Sequence, residues 1–344
     1  MSLLSGCKRR SEFFRQLIDE FDNADLIAEL CIMPQDNRLC RIWKETLNNK
    51  RLSALKSIKR RQLLGSATVN AFGRMFPADD PSHSVTQFIR GLMSPEAACL
   101  SVGEFHFPLP GDRSEELIFA PALQDFYAQY AMDLDIGSDY ALYDLLLEGP
   151  GEYHAVMIHP GDVVIDAGAN IGDFSLLAAK KVEGGGLVFA FEPVADVYNR
   201  YLLQTLELNP SLADRIAPIP AGLLEADGMV TFYTNPDFMD EASVIQNHRT
   251  IGTEPQAQVY ALDSFVAENK LERVDFIKAD IEGAERYMLQ GATETLARYA
   301  PKLSIANYHL PDDPVVLENL ILDANPQYKI IQKWKKLFAY VPGQ

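Results

Sequence analysis

Two stretches of this sequence gather residue types that could do chemistry. The first, DVVIDAGANIGDFSLLAAK, sets Asp166, Ala167, Gly168, Asn170 and Gly172 between an apolar β-branched run and an amphipathic segment. Glycine at 168 lets backbone approach a ligand closely, and glycine at 172 lets the following helix pack against the strand. Amides exposed at that helix start favour an anionic or electron-rich group. Glu192 follows the strand-like LVFAF, where a carboxylate can accept both hydroxyls of a ribose. The spacing is D-x-G-x-x-x-G, with Asn170 standing where a dinucleotide fingerprint needs its second glycine.

Taken singly, the turn reads equally as a tight strand–helix connection and Glu192 as a surface carboxylate. Their conjunction describes a nucleoside site without pyrophosphate-binding glycines. That suits S-adenosylmethionine better than NAD, and disfavours an NAD-dependent oxidoreductase.

The second stretch comprises two groups, each placed after a strand-like run: Asp280, Glu282 and Glu285 after DFIKA, and Asn307, Tyr308 and His309 after KLSI. Ligands of open α/β sheets lie over the carboxyl ends of the strands. Asp280 could bind substrate, hold a divalent cation or accept a proton; its alternative is the cap of a helix formed by IEGAERYML. His309, one of six histidines, could take a proton near neutral pH. Asp280, Glu282 and His309 also make an acceptable donor set for Mg²⁺ or Mn²⁺. Glu285 belongs to this candidate group and could equally pair with Arg286 or Lys278 as a surface charge. The polar insertion TNPDFMDEASVIQNHRTIGTEPQ, with Asp237, Asp240, Glu241, Ser243 and His248, reads as a lid or as a disordered loop. Asp133, Asp135 and Asp139 form a solvated face or one wall of a substrate cleft.

The elements that must position these groups follow from periodicity. Val163 to Ile165, Leu187 to Phe191, Ile216 to Ile219, Val274 to Ile277 and Leu303 to Ile305 are short buried-strand candidates. They alternate with helix-length segments such as Phe174 to Val182 and Val194 to Leu208, the pattern of βαβ units and a parallel sheet covered on both faces. The tail YKIIQKWKKLFAYV predicts an antiparallel pair closing that sheet. Upstream, GEFHFPLP alternates like a strand and APALQDFYAQYAMDL reads as a helix. Residues 1 to about 100 read as a helical extension ending in a Pro, Asp and Ser-rich linker, and 101–344 as the main domain.

Composition bounds the rest. The chain has 344 residues, 47% hydrophobic and 23% charged, as expected of a folded, water-soluble protein. Net charge is −17, but residues 1–76 carry 14 Lys+Arg against 8 Asp+Glu. The acidic remainder repels phosphate backbones, so nucleic acid is not an expected partner. Lys56, Lys59, Arg60 and Arg61 could form a nucleic-acid or anionic-partner patch, but read more readily as a solvated helix face or an intramolecular partner for an acidic domain. Cys7, Cys31, Cys40 and Cys99 form no C-x-x-C pair and read as free thiols in a reducing compartment. No run approaches the roughly 18 apolar residues of a spanning helix, and no signal segment opens the chain, so the expected location is cytoplasmic and not membrane.

DVVIDAGANIG, FAFEP, VYALDSFVAENKLERVDFIKADIEGAE and KLSIANYHLPDD together resemble the FkbM-type S-adenosylmethionine-dependent methyltransferases, over Gly149 to Val341. The resemblance implies a Rossmann-like class I methyltransferase fold, a seven-stranded, mostly parallel sheet with an antiparallel last strand. It implies methyl transfer, typically to a hydroxyl of a sugar or natural-product scaffold. By the same resemblance Asp166, Gly168, Asn170 and Gly172 line the methionine part, Glu192 holds the ribose, and Ala221 and Gly222 lie near the adenine. Proton removal falls to His309 or Asp280, with Glu282, Ser243, Asn307 and Tyr308 toward a small-molecule or glycan acceptor. N-methylation and a non-catalytic nucleoside-binding module remain the alternatives, and self-association stays open.

Overall fold

The computed structural model describes residues 99–102, 104–109, 122, 123, 126, 129, 150–231, 233–235, 238–243 and 256–343. The expected N-terminal helical unit, its basic run, the 133–139 acids, Asp237 and His248 lie outside these residues. In chain order the strands are β1 (Leu100–Val102), β2 (Phe105–Phe107), β3 (Val163–Ala167), β4 (Leu187–Phe191) and β5 (Ile216–Ile219). There follow β6 (Ala221–Leu224), β7 (Gly228–Thr231), β8 (Tyr233–Asn235), β9 (Phe238–Ser243) and β10 (Gln256–Ala261). The last are β11 (Phe276–Ala279), β12 (Lys302–Ala306), β13 (Lys329–Lys333) and β14 (Lys336–Tyr340).

Seven strands form one sheet in the order β13-β14-β12-β11-β3-β4-β5. β14 runs antiparallel to both its neighbours, while β11, β12, β3, β4 and β5 pair in parallel. The expected parallel sheet and closing antiparallel pair are therefore both present. Strands alternate their side chains between faces, and apolar residues fill both. On one face Val164, Ala190, Phe276 and Phe338 pack with Leu176, Tyr201 and the hairpin residues Phe105 and Phe107. On the other, Ile165, Phe191, Ile277 and Leu303 pack with Phe265, Met288, Leu296 and Ile321. A wholly buried side chain of this size contributes about 1.5–3 kcal/mol, so the sheet is a rigid floor for whatever its strand ends carry.

The helices that matter for the site start at those strand ends. After β3 the chain enters α1 (Asp173–Lys181), which has Asp173 in its first turn and Lys180 and Lys181 in its last, both signs matching the helix dipole. After β4, the single helix expected over Val194 to Leu208 is α2 (Ala195–Val197), a π-helical turn (Tyr198–Leu202) and α3 (Leu203–Leu208). The widened turn buries both Tyr201 and Leu202. After β11 comes a loop and then α4 (Glu285–Gln290).

Two expectations shift. β11 begins at Phe276 rather than Val274, because the Asp275 side chain accepts the Val163 amide at 2.7 Å and pairs with Arg273. A second, three-stranded sheet, β6-β10-β7, takes up VYA of the VYALDSF segment and was not apparent from periodicity. Within the polar insertion, β8 and β9 pair antiparallel, with Ser243 opposite Tyr233.

Candidate active site

The carboxyl ends of β3, β4, β11 and β12 meet along one edge of the sheet, and the chemistry-bearing residues gather there. After β3 the backbone turns through Gly168 (φ 78°), Asn170 (φ 49°) and Gly172 (φ 85°) into α1. These left-handed conformations are inexpensive for glycine and tolerated by asparagine. A Cβ on Gly172 would stand 2.9 Å from Leu202 Cδ1, so this glycine admits the β4-following helix rather than α1's own strand.

Glu192, at the end of β4, is buried and accepts the Asn170 amide at 3.0 Å and the Val194 amide at 2.8 Å. Burial pushes its carboxyl up to about 7 despite those two bonds, with Asp166 adding to the rise and Lys278 opposing it. It therefore already braces the glycine turn. Asn170 Oδ1 beside it is buried and has no hydrogen-bond partner among the described residues. Ala221 and Gly222 are buried in β6, directly after β5.

Asp166 is wholly buried: its Oδ2 accepts the Ser175 hydroxyl at 2.6 Å and its Oδ1 lies 3.1 Å from Lys278 Nζ. The sequence offers Lys278 only as a possible partner of Glu285. Instead it is buried in β11, in register with Asp166 of β3, and donates to the Gly168 carbonyl at 2.7 Å. Burial works against its charge, and Asp166, Asp280 and Asp173 more than offset that, so its pKa is raised. The legible signal was a lysine inside the otherwise apolar FIKA. Asp173 was also missed; burial raises its carboxyl to about 6, with Asp166 adding and Lys278 opposing.

The second group assembles around one imidazole. His309, its side chain 7% exposed, has Nε2 3.6 Å from Asp280 Oδ1 and 3.5 Å from Glu282 Oε2, while Nδ1 lies 3.0 Å from Glu285 Oε1. Burial alone would lower its pKa. Glu282, Glu285 and Asp280 overcome that and push it up to about 11. Glu282 sits at φ 54° and its carboxyl is raised by burial. Asp280 is not a helix cap, because α4 begins at Glu285 with Ala284 at its cap position.

Glu285 is not a surface charge. It is wholly buried, accepts the Ile281 amide at 2.8 Å, and keeps a buried Oε2 without a hydrogen-bond partner among the described residues. Arg286 pairs elsewhere, with Asp312 and Asp313. Three groups, Asp280, Glu285 and His309, can each bring a ligand atom within 4.8 Å of the others, so Glu285 takes the place expected of Glu282 in such a trio. Asn307 is buried and its amide donates to the Lys335 carbonyl at 3.0 Å. Tyr308 lies beside the His309 ring, with Lys335 Nζ over its own ring at 4.2 Å. The Ser243 side chain lies outside the described residues.

A doubly flanked, mostly parallel sheet, a glycine turn after its central strand and a carboxylate at the end of the next make up a Rossmann-like fold of the class I methyltransferase type. Residues 166–328 match the family described as methyltransferase FkbM domain, so this part of the chain is similar to FkbM-type methyltransferases. Among curated relatives, it is 27% identical over 165 residues to the hexuronic acid methyltransferase AglP of Haloferax volcanii, a match covering 47% of this chain and 62% of that protein. It is 28% identical over 167 residues to the 31-O-demethyl-FK506 methyltransferase FkbM of Streptomyces tacrolimicus, covering 41% and 63%. The matched regions thus span about three fifths of the length of these two relatives. Among solved structures, methyltransferase FkbM from Methylobacillus flagellatus is 26% identical with a TM-score of 0.41, over 64% of this chain and 54% of that one. No helix of the described residues is long and apolar enough to cross a membrane.

Proposed function

We propose that the chain is an S-adenosylmethionine-dependent methyltransferase acting on a hydroxyl of a sugar or natural-product acceptor. The observation that carries this is the contact between the two halves of the site, in which the Asp280 amide donates to the Ala167 carbonyl at 3.2 Å. The nucleoside-binding turn and the proton-accepting cluster therefore share one backbone.

The residues fit the cofactor. Glu192 offers a buried carboxylate at the strand end where a ribose would lie, and Asn170 Oδ1 is a buried acceptor awaiting a donor. When bound, S-adenosylmethionine supplies an electrophilic methyl group on a sulfonium. The protein must then hold an acceptor oxygen in line with it at about 3 Å and take up the hydroxyl proton.

Asp280 is the group we assign to that proton. His309 is less suited, because both its ring nitrogens face carboxylates. A nitrogen that faces a carboxylate is favourable only as a donor, so His309 carries both protons and has no lone pair to offer. It holds Asp280 and Glu282 in place, and those two carboxylates, with side chains 23% and 35% exposed, face outward from the cluster. Glu282, Asn307 and Tyr308 then border the acceptor. The relatives described as a hexuronic acid methyltransferase and a 31-O-demethyl-FK506 methyltransferase support a sugar or natural-product acceptor, the second at oxygen.

A second reading is favoured by one observation, the 4.8 Å grouping of Asp280, Glu285 and His309. A divalent cation there would replace the His309 proton and orient the acceptor. Calorimetry with S-adenosylhomocysteine and with NAD, each with and without Mg²⁺ or Mn²⁺, tests both. Binding of S-adenosylhomocysteine without metal dependence supports the first reading, metal dependence supports the second, and binding of NAD alone overturns both.

A further inference from the structure

Lys278 is the described side chain that reaches from the acceptor-side strand back into the cofactor turn. It lies in β11, two residues before Asp280, and its Nζ donates to the Gly168 carbonyl at 2.7 Å while lying 3.1 Å from Asp166 Oδ1. The Ala167 carbonyl is a further acceptor at 3.4 Å, and the Phe174 ring of α1 lies 5.9 Å from the ammonium. Two of its N–H groups go to carbonyls of β3 and the turn and its charge is paired with Asp166, so it is not a free cation facing a ligand. Gly168, whose carbonyl it grips, is in turn pressed on the Asp280 carbonyl, where a Cβ would meet oxygen at 2.2 Å.

We propose that Lys278 is a positioning residue that fixes the cofactor turn relative to Asp280, and so sets the distance between the transferable methyl group and the acceptor oxygen. This rests on the methyltransferase reading above. The reach explains why a charge is buried in a strand whose neighbours are apolar. A shorter or apolar side chain would leave the Gly168 carbonyl without its donor and Asp166 without its counter-ion. The turn carries left-handed residues at 168, 170 and 172, a conformation that nearby backbone and side-chain contacts must hold. Asp166, Asp173 and Asp280 are carboxyl groups near the ammonium, with Glu192 also within its electrostatic reach, so the lysine is held from both the turn and the acceptor side.

The test compares the parent with Lys278→Met, and with Lys278→Met combined with Asp166→Asn, which removes the orphaned buried carboxylate. Two readouts are needed: calorimetric affinity for S-adenosylhomocysteine, and amide hydrogen exchange of the segment 166–174 against that of 336–340 without ligand. Lys278→Met should bind S-adenosylhomocysteine at least about tenfold more weakly, as expected when a positioning contact is lost. Exchange should rise in 166–174 and stay parental in 336–340, and the double variant should regain melting temperature without regaining turn protection. Parental turn protection in Lys278→Met, or an equal rise in both segments, overturns the proposal. If the parent itself fails to bind S-adenosylhomocysteine, the methyltransferase reading fails, and the exchange comparison still decides whether Lys278 holds the turn.

Discussion

Gly168 and Asp280 are in backbone contact: a Cβ built on Gly168 would lie 2.2 Å from the Asp280 carbonyl oxygen and 3.0 Å from Ile281 Cγ2. The sequence motif suggested that glycine at 168 leaves room for a ligand. The contact gives it a further reason, since the turn after β3 must nest against the chain leaving β11. The two halves of the site are therefore packed directly against each other.

Gly168→Ala is therefore expected to fail on two counts, a φ of 78° and a collision with backbone rather than with a flexible side chain. Strained backbone of this kind costs about 1–3 kcal/mol, before any displacement of Asp280. The urea midpoint should fall and S-adenosylhomocysteine affinity should fall with it. An unchanged midpoint would show that the β3 and β11 ends are not locked together.

Glu192 makes cofactor binding pH-dependent. Its carboxyl is raised to about 7 by burial, so it is mostly protonated at pH 6 and mostly ionised at pH 8. Only the ionised form accepts both ribose hydroxyls. Affinity for S-adenosylhomocysteine should therefore rise about tenfold from pH 6 to pH 8, in proportion to the ionised fraction. Glu192→Gln should bind weakly with that slope removed. A parent whose affinity is flat across this range would take Glu192 out of the ribose site.

For His309 the sign runs the other way. Its folded pKa, about 11, lies above the ordinary 6.5, so its ion pairs stabilise the protein fully below pH 6.5 and progressively less as pH rises toward 11. The urea stability of the parent should exceed that of His309→Gln most at pH 6. That gap should narrow with rising pH, by up to about 1.4 kcal/mol per pH unit. A gap constant from pH 6 to pH 10 would mean that His309 is neutral in the folded protein.

What could be read from the sequence and what could not divide along physical lines. The central strands were legible because β-branched runs buried on both faces are local patterns, as in Val163 to Ile165 or Leu187 to Phe191. Asp280, Glu282 and His309 converge as the strand-end rule required, because topology alone places them. The burial of Glu285 and the role of Lys278 were not legible, since both depend on partners far away in sequence: Nδ1 of His309 for one, the Gly168 carbonyl and Asp166 for the other. A charge in a short apolar run gives no local sign of which of these it is. The β6-β10-β7 sheet was equally hidden, because it joins strands on either side of a long polar insertion.

Glu285 offers the sharpest separation of the two accounts of the imidazole cluster. Its Oε1 accepts the Ile281 amide and lies 3.0 Å from His309 Nδ1 as an ion pair, and its Oε2 is buried without a hydrogen-bond partner among the described residues. Glu285→Gln keeps an acceptor for Ile281 but removes one of the three carboxylates that hold the imidazolium. The His309 pKa, followed by NMR of its ring, should fall, and stability at pH 7 should drop as the buried ion pair loses one partner. Added Mn²⁺ should leave the parent spectrum of His309 unchanged if the ring is doubly protonated. If a cation belongs at Asp280, Glu285 and His309, Mn²⁺ will broaden that resonance in the parent and much less in Glu285→Gln, and His309 is then a ligand instead of the cluster's own positive charge.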